Sequence, residues 1–223
     1  IYAHSYRLLD AANNIAYLFS LLLLPIFAKM IKEKGKVENM VKLSFTLLFV
    51  LSVIVTAVAY TYSYQIINLL YDHYIAESAR LFPVLMACFI AISTTYVFGT
   101  LLTANGNLRQ LNYLAAAGMV LNLVLNIILI PRLGALGSAW ASLTTQVLMA
   151  VLQIVLCSLY FGFKLNVHYV LKLVLVLGYL LTKLQVTWII TSIIMVFLSL
   201  VWAAALRLLN ITHFIAIIKD RPE

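Results

Sequence analysis

Two charged residues interrupt the first apolar stretch of the chain. Arg7 and Asp10 are three residues apart, so a helix places both on one face, and Asn13 and Asn14 follow one turn later. Charged residues inside a membrane span are energetically costly and normally face a bundle interior or a watery cavity, where they mark a substrate or ion path. Two structural interpretations compete: Arg7 reaches the outer lipid headgroups, or it forms a stabilising pair with Asp10. Residue types alone leave all three open.

A second group of polar residues lies further along the chain. Asn122 and Asn126 are four residues apart on one predicted helix, and Ser142, Thr145 and Gln146 form a polar patch on the next. Such groups join membrane helices through hydrogen bonds worth roughly 0.6–2 kcal/mol each. We therefore expect Asn122, Asn126 and Gln146 to serve helix packing, with a substrate-facing role as the alternative.

The remaining candidates for chemistry are sparse. Asp72, His73 and Glu77 form an acidic and imidazole cluster that could serve a membrane glycosyltransferase or ligase, although a solvated loop explains it more simply and is the favoured interpretation. The four histidines and two cysteines are never at paired metal-ligand spacing, and the sequence contains no phosphate-binding loop or HExxH motif. We expect no enzymatic activity, no cofactor and no metal.

Composition identifies the elements that must position these residues. Of the 223 residues, 65% are apolar and 10% charged, against roughly 45–50% and about 25% in soluble domains. This composition indicates an all-α, polytopic transmembrane helix bundle, because each helical span takes about 20 apolar residues. Seven spans are predicted, at 2–28, 41–62, 81–103, 111–130, 135–161, 170–184 and 188–206. An amphipathic connection at 71–80 and turns at 104–107 and 131–134 separate several of them.

The basic residues are distributed unevenly across the predicted membrane. Alternating the seven spans puts eleven of the 15 Lys and Arg on one side, with five lysines in the loop 29–42. Positive charge concentrates on the cytoplasmic side of membrane proteins, so the loop 29–42 and the C-terminal tail are predicted to be cytoplasmic. Membrane topology thus accounts for the net charge of +8, and no nucleic-acid partner is expected. The loop lysines also suit anionic membrane lipids.

Three stretches of the sequence resemble a known family. They are YAHSYRLLD at 2–10 with LPIFAK at 24–29, LTANGN at 102–107, and NLVLN at 122–126 followed by IPRLGALGSA at 130–139. Together they are similar to the C-terminal lobe of polysaccharide and lipid-linked oligosaccharide flippases. These O-antigen and lipid II flippase-like proteins belong to the multidrug, oligosaccharidyl-lipid and polysaccharide exporter superfamily.

The resemblance implies a fold of two lobes around a central cavity. Residues 1–163 would form a partial C-terminal transport lobe of about five helices, and 164–223 two additional membrane helices with the basic tail. The missing N-terminal lobe of the same protein would be a partner. An undecaprenyl-diphosphate-linked oligosaccharide would cross the bacterial inner membrane by alternating access, with Arg7 facing the diphosphate and Asp10, Asn13 and Asn14 lining the cavity. The chain is expected to be a fragment.

Two alternatives to a flippase keep the membrane fold. A cation-coupled multidrug exporter of the same superfamily would need acidic residues in its spans, where the sequence offers Asp10. A non-transporting membrane subunit would need no substrate site. These alternatives stay open on the sequence.

Overall fold

The computed structural model describes residues 2–162, and this part of the chain is entirely helical, without β-strands. Five of its helices are long and apolar enough to cross a membrane, which makes the chain a multi-pass membrane protein. The helices are α1 (Tyr2–Lys32), α2 (Glu38–Thr61), α3 (Ser63–Leu70), α4 (Ile75–Ala104), α5 (Leu108–Leu133) and α6 (Ala135–Phe161). All except α3 meet the length and hydropathy expected of a span.

The five long helices correspond to the first five predicted spans, and the differences lie at their ends. The predicted span 2–28 extends to Lys32 in α1, while 135–161 coincides with α6. Because α2 begins at Glu38, the predicted basic loop 29–42 is reduced to a connection at 33–37. The predicted spans 170–184 and 188–206 lie outside the described residues. The seven-span count and the domain boundary at 163 therefore remain predictions.

The predicted connection at 71–80 is wrong in its second half, because α4 begins at Ile75. Residues 75–80 read IAESAR, and alanine, glutamate and arginine favour helices whether or not the segment is apolar. The polar residues at 75–80 correctly indicate where the apolar stretch begins, but the helix itself begins earlier. The helix α3, just before this connection, was also not predicted.

The predicted turn at 131–134 is narrower than expected. Helix α5 continues through Pro131 to Leu133, and the chain reverses at Gly134, whose φ is +57°. This left-handed region is readily adopted by glycine, which lacks a Cβ. Gly137 then lies so close to the α5 backbone that a Cβ there would collide with the Leu129 carbonyl. Small residues thus bring α5 and α6 together immediately after the turn.

Helix α4 is the centre of the described bundle. It packs against α1, α2 and α6, whereas α5 packs mainly against α6. Its side chains Leu85, Phe89 and Phe98 are fully buried, and the Phe98 ring lies 5.5 Å from that of Phe45 on α2. In contrast, Gly118 is the one buried residue of α5. This arrangement leaves α1 and α5 at the margins of the described bundle, each with a broad exposed face.

Candidate functional site on the exposed face of α1

Helix α1 has two faces with different roles. Small and apolar residues form the buried face, along which α1 packs against α4. The buried residues are Ser5, Leu9, Ala12, Ala16, Ser20, Leu23 and Phe27. Arg7, Asp10 and Asn14 are exposed on the other side of the helix, and Asn13 is partly buried between the two faces. The four candidate residues therefore share the part of α1 that is turned away from the packed core or borders it.

Arg7 and Asp10 are on one helical face, but they do not form an ion pair. The described residues contain salt bridges from Lys29 to Glu33 and from Lys42 to Glu38, and none that involves Arg7 or Asp10. This observation is contrary to the interpretation in which the two residues stabilise each other structurally. Within the described part of the chain, both charges are left available to a cavity, a ligand or a lipid headgroup.

The length of α1 indicates how deep these residues lie. Its 31 residues extend about 46 Å at roughly 1.5 Å per residue, whereas the hydrocarbon core is about 30 Å thick. Counting about 20 residues back from Lys29, at the basic end of the helix, reaches Leu9. If Lys29 marks one boundary of the hydrocarbon core, Arg7 and Asp10 are expected close to the other boundary and Tyr17 about halfway across.

Two tyrosines that were not predicted as site residues extend this polar face inward. Tyr17, which is 46% exposed, follows Asn13 by one helical turn, and its ring centroid lies 6.2 Å from that of Tyr96 on α4. Asp10 is within electrostatic reach of Tyr96. The i, i+4 spacing of Asn13 and Tyr17 is a sequence signal that places them on one face. No local signal pairs Tyr17 with Tyr96, because their contact joins two separate helices.

Contacts near its first turn fix the position of α1. The Ser5 hydroxyl donates a hydrogen bond of 2.9 Å to the carbonyl oxygen of Ser78 on α4. The His4 ring stacks on Tyr71 at 4.1 Å, and the Tyr71 hydroxyl donates a 3.2 Å hydrogen bond to the His4 carbonyl. Because Arg7 follows these residues by less than one helical turn, the same contacts also position the backbone that carries its side chain. They connect the candidate site to the 71–74 loop.

The second group of candidate residues connects α5 to α6. The Asn122 side-chain amide donates to the Thr145 hydroxyl at 3.3 Å, and the Asn126 amide donates to the Asn122 Oδ1 at 2.8 Å. Thr145 in turn donates to the Ala141 carbonyl at 2.9 Å. Gln146 is partly buried and makes no hydrogen bond to another described residue. Asn122 and Asn126 thus contribute contacts within and between helices, while Gln146 contributes none in this part of the chain.

The acidic and imidazole cluster lies apart from this face. Asp72 and His73 are in the loop between α3 and α4, Glu77 is in the first turn of α4, and all three are exposed. Among the described residues, no group of three His, Cys, Asp or Glu side chains is arranged to hold a metal ion. A shielded reaction centre would need groups that exclude water around the cluster, and an exposed loop does not supply them.

The exposed polar face of α1 is therefore the strongest candidate site in residues 2–162. Its charges lie near one boundary of the membrane, and its amides and tyrosines lie deeper. No family model matches the chain, and no characterised protein matches it either. Any assignment of function rests on the residues themselves and their geometry.

Proposed function

We propose that this chain is part of a flippase that moves an undecaprenyl-diphosphate-linked oligosaccharide across the bacterial inner membrane by alternating access. The observation that carries the proposal is the exposed polar face of α1, with Arg7, Asp10 and Asn14 in the mainly apolar part of the helix that precedes its basic end. Lipid is a poor environment for such a face, which favours a second lobe and a hydrated cavity opposite it. That lobe would be the N-terminal half of the same transporter.

Arg7 would bind the diphosphate of the substrate. A guanidinium group presents a planar set of N–H donors that matches two phosphate oxygens at once, and its charge persists at any physiological pH. Near the hydrocarbon boundary, Arg7 would lie at the depth of a lipid headgroup. Because Asp10 does not neutralise it within the described residues, its charge is available to an anion.

The basic end of α1 would face the cytoplasm, where the lipid-linked precursor is assembled. Lys29 and Lys32 lie in the last helical turn, and basic residues there also complement the negative end of the helix dipole. The five lysines of residues 29–42, at the end of α1, in the 33–37 connection and at the start of α2, would contact anionic lipid headgroups at the same surface. Alternating access would then carry the diphosphate toward Arg7 at the outer boundary. No nucleic acid is involved in this proposal.

The test is complementation of a strain that lacks the full-length transporter. We expect Arg7→Ala to reduce surface glycan output by at least about tenfold, since one charge-assisted phosphate contact is worth roughly 1.5–3 kcal/mol. Arg132→Ala is the matched control, because Arg132 is an exposed arginine in the last turn of α5 and should retain full output. Equal protein levels in the membrane must be shown for both variants. Full output from Arg7→Ala would contradict the proposal.

A cation-coupled drug exporter is the second candidate, favoured by one observation. Asp10 is an exposed carboxylate without an ion pair in the described part of the chain, which is suited to carrying a proton or Na⁺. In that case Asp10→Asn would abolish drug resistance conferred on a sensitive host while leaving glycan output unchanged. The flippase proposal predicts no drug resistance from the unmodified protein. Failure of both assays would leave a non-transporting membrane subunit.

A further inference from the structure

Four side chains on the exposed face of α1 and the adjoining part of α4 have no hydrogen-bond partner among the described residues. They are the Asp10 carboxylate, the Asn13 amide, and the hydroxyl groups of Tyr17 and Tyr96. The Asn13 Oδ1 is itself buried. Asp10 and Tyr17 are exposed, and polar groups that face lipid without partners are energetically costly. These groups are therefore available to a polar ligand.

The chemistry of the four groups restricts what that ligand can be. A diphosphate would be repelled by the Asp10 carboxylate and would find no cation among the four. A purely apolar drug would cover the tyrosine rings but leave the carboxylate without a donor and the Asn13 Nδ2 without an acceptor. Hydroxyl groups suit both residues, because the Asp10 carboxylate accepts hydrogen bonds and the Asn13 Nδ2 donates them. The tyrosine rings, tilted by 56° to each other, offer apolar surface combined with a polar hydroxyl tip.

We infer that Asp10, Asn13, Tyr17 and Tyr96 form a carbohydrate subsite that binds a pyranose ring of the translocated glycan. A pyranose has C–H groups on its faces, which pack on aromatic rings, and hydroxyl groups at its edge, which donate to Asp10 and accept from the Asn13 Nδ2. This subsite rests on the proposed flippase function. Under this proposal, Arg7 binds the diphosphate and the subsite binds the sugar.

The positions of these groups agree with such a division. Tyr17 lies ten residues beyond Arg7 along α1, a separation of about 15 Å in a helix. A short oligosaccharide attached to the diphosphate can extend over that distance. Tyr17 is 46% exposed and Tyr96 partly buried against it, so one ring is open to a ligand and the other supports it.

The test compares two lipids on the full-length transporter in nanodiscs. The probes are undecaprenyl diphosphate and the same lipid bearing a trisaccharide of N-acetylhexosamines, which can reach from Arg7 to Tyr17, with binding measured by thermophoresis. We expect Tyr17→Leu and Tyr96→Leu to weaken binding of the sugar-bearing lipid about tenfold, with binding of the bare lipid within about twofold of the unmodified protein. Arg7→Ala should weaken binding of both lipids. Tyr113→Leu, at an exposed tyrosine of α5, is the matched control and should change neither.

The outcomes separate the two proposals. Tyrosine variants that affect both lipids equally, or neither lipid, overturn the subsite while the Arg7 result stands on its own. If the unmodified protein binds neither lipid, or Arg7→Ala changes neither affinity, the flippase proposal fails and the subsite fails with it. Tyr17→Phe and Tyr96→Phe keep the rings and serve if a leucine variant does not fold. They should weaken binding of the sugar-bearing lipid alone, by a smaller factor.

Discussion

Single residues determine how closely α5 and α6 approach each other. Gly134 reverses the chain in a left-handed conformation, and one turn later Gly137 passes directly against the backbone of Leu129. The two glycines have different functions, because the first requires a particular φ and the second requires the absence of a Cβ. Membrane helices depend on such close contacts, since lipid supplies no hydrophobic force to drive helix association.

Gly137→Ala is expected to destabilise the full-length protein by roughly 1–3 kcal/mol, the usual cost of inserting a methyl group into a packed site. The α5 backbone cannot move aside as a flexible side chain would, because the colliding atom is the Leu129 carbonyl oxygen. Unfolding in mixed micelles of increasing denaturing detergent would measure the change. Ser138→Ala is the control, as Ser138 is partly exposed and makes no hydrogen bond within residues 2–162. Equal stability of the two variants would show that the contact is not tight.

At the scale of elements, the bundle is organised around α4 and the hairpin of α5 with α6. Helix α5 lies at the margin and is attached chiefly through α6, by small residues near the turn and by Asn122 and Thr145 further along. Gln110 adds a hydrogen bond to the Tyr160 hydroxyl at the other end of the hairpin. These two polar contacts, at different heights along the hairpin, therefore help to hold α5 and α6 in register.

A double-mutant cycle should detect the contact between Asn122 and Thr145. We expect Asn122→Ala and Thr145→Val to show a coupling of about 0.6 kcal/mol, up to roughly 1.7, because buried hydrogen bonds between membrane helices fall in this range. The same detergent titration gives the four stabilities. A control cycle that combines Asn112→Ala, at an exposed residue near the start of α5, with Thr145→Val should give a coupling near zero. Additive effects of Asn122→Ala and Thr145→Val would rule out an energetic contact.

At the scale of the whole molecule, the described helices place their connections at alternate ends. The α1–α2 turn and the α4–α5 turn lie at one end, and the 71–74 loop and Gly134 lie at the other. The first end carries the five lysines of residues 29–42. An asymmetric charge distribution of this kind orients a protein during membrane insertion, so it predicts that this end faces the cytoplasm.

Single-cysteine labelling would test this orientation. The native Cys88 and Cys157 are 1% and 0% exposed, so a membrane-impermeant maleimide should not reach them. We expect His73→Cys to be labelled in intact spheroplasts and Lys36→Cys and Asn105→Cys only after permeabilisation. Labelling of Lys36→Cys in intact spheroplasts would reverse the assigned topology. The unmodified protein, treated in parallel, controls for reaction of the native thiols.

The sequence by itself determined the helical class of the protein and the number of long apolar helices in residues 2–162. These are local properties, because a stretch of about 20 apolar residues in lipid must satisfy its backbone hydrogen bonds within its own helix. The face shared by Arg7, Asp10 and Asn14 also follows from helical periodicity. Local signals located the helix ends less well, since the polar residues of α4's first turns favour a helix while marking the end of an apolar run.

Only the tertiary structure decided which faces are buried and which residues meet across helices. It packs α1 against α4, so that Ser5 contacts Ser78 and Tyr17 contacts Tyr96, although more than 70 residues separate each pair. It also leaves Arg7 without an ion pair to Asp10, a question that their spacing left open. The physical reason is that packing depends on the complementary surfaces of distant segments, and periodicity within one segment contains no information about its partner.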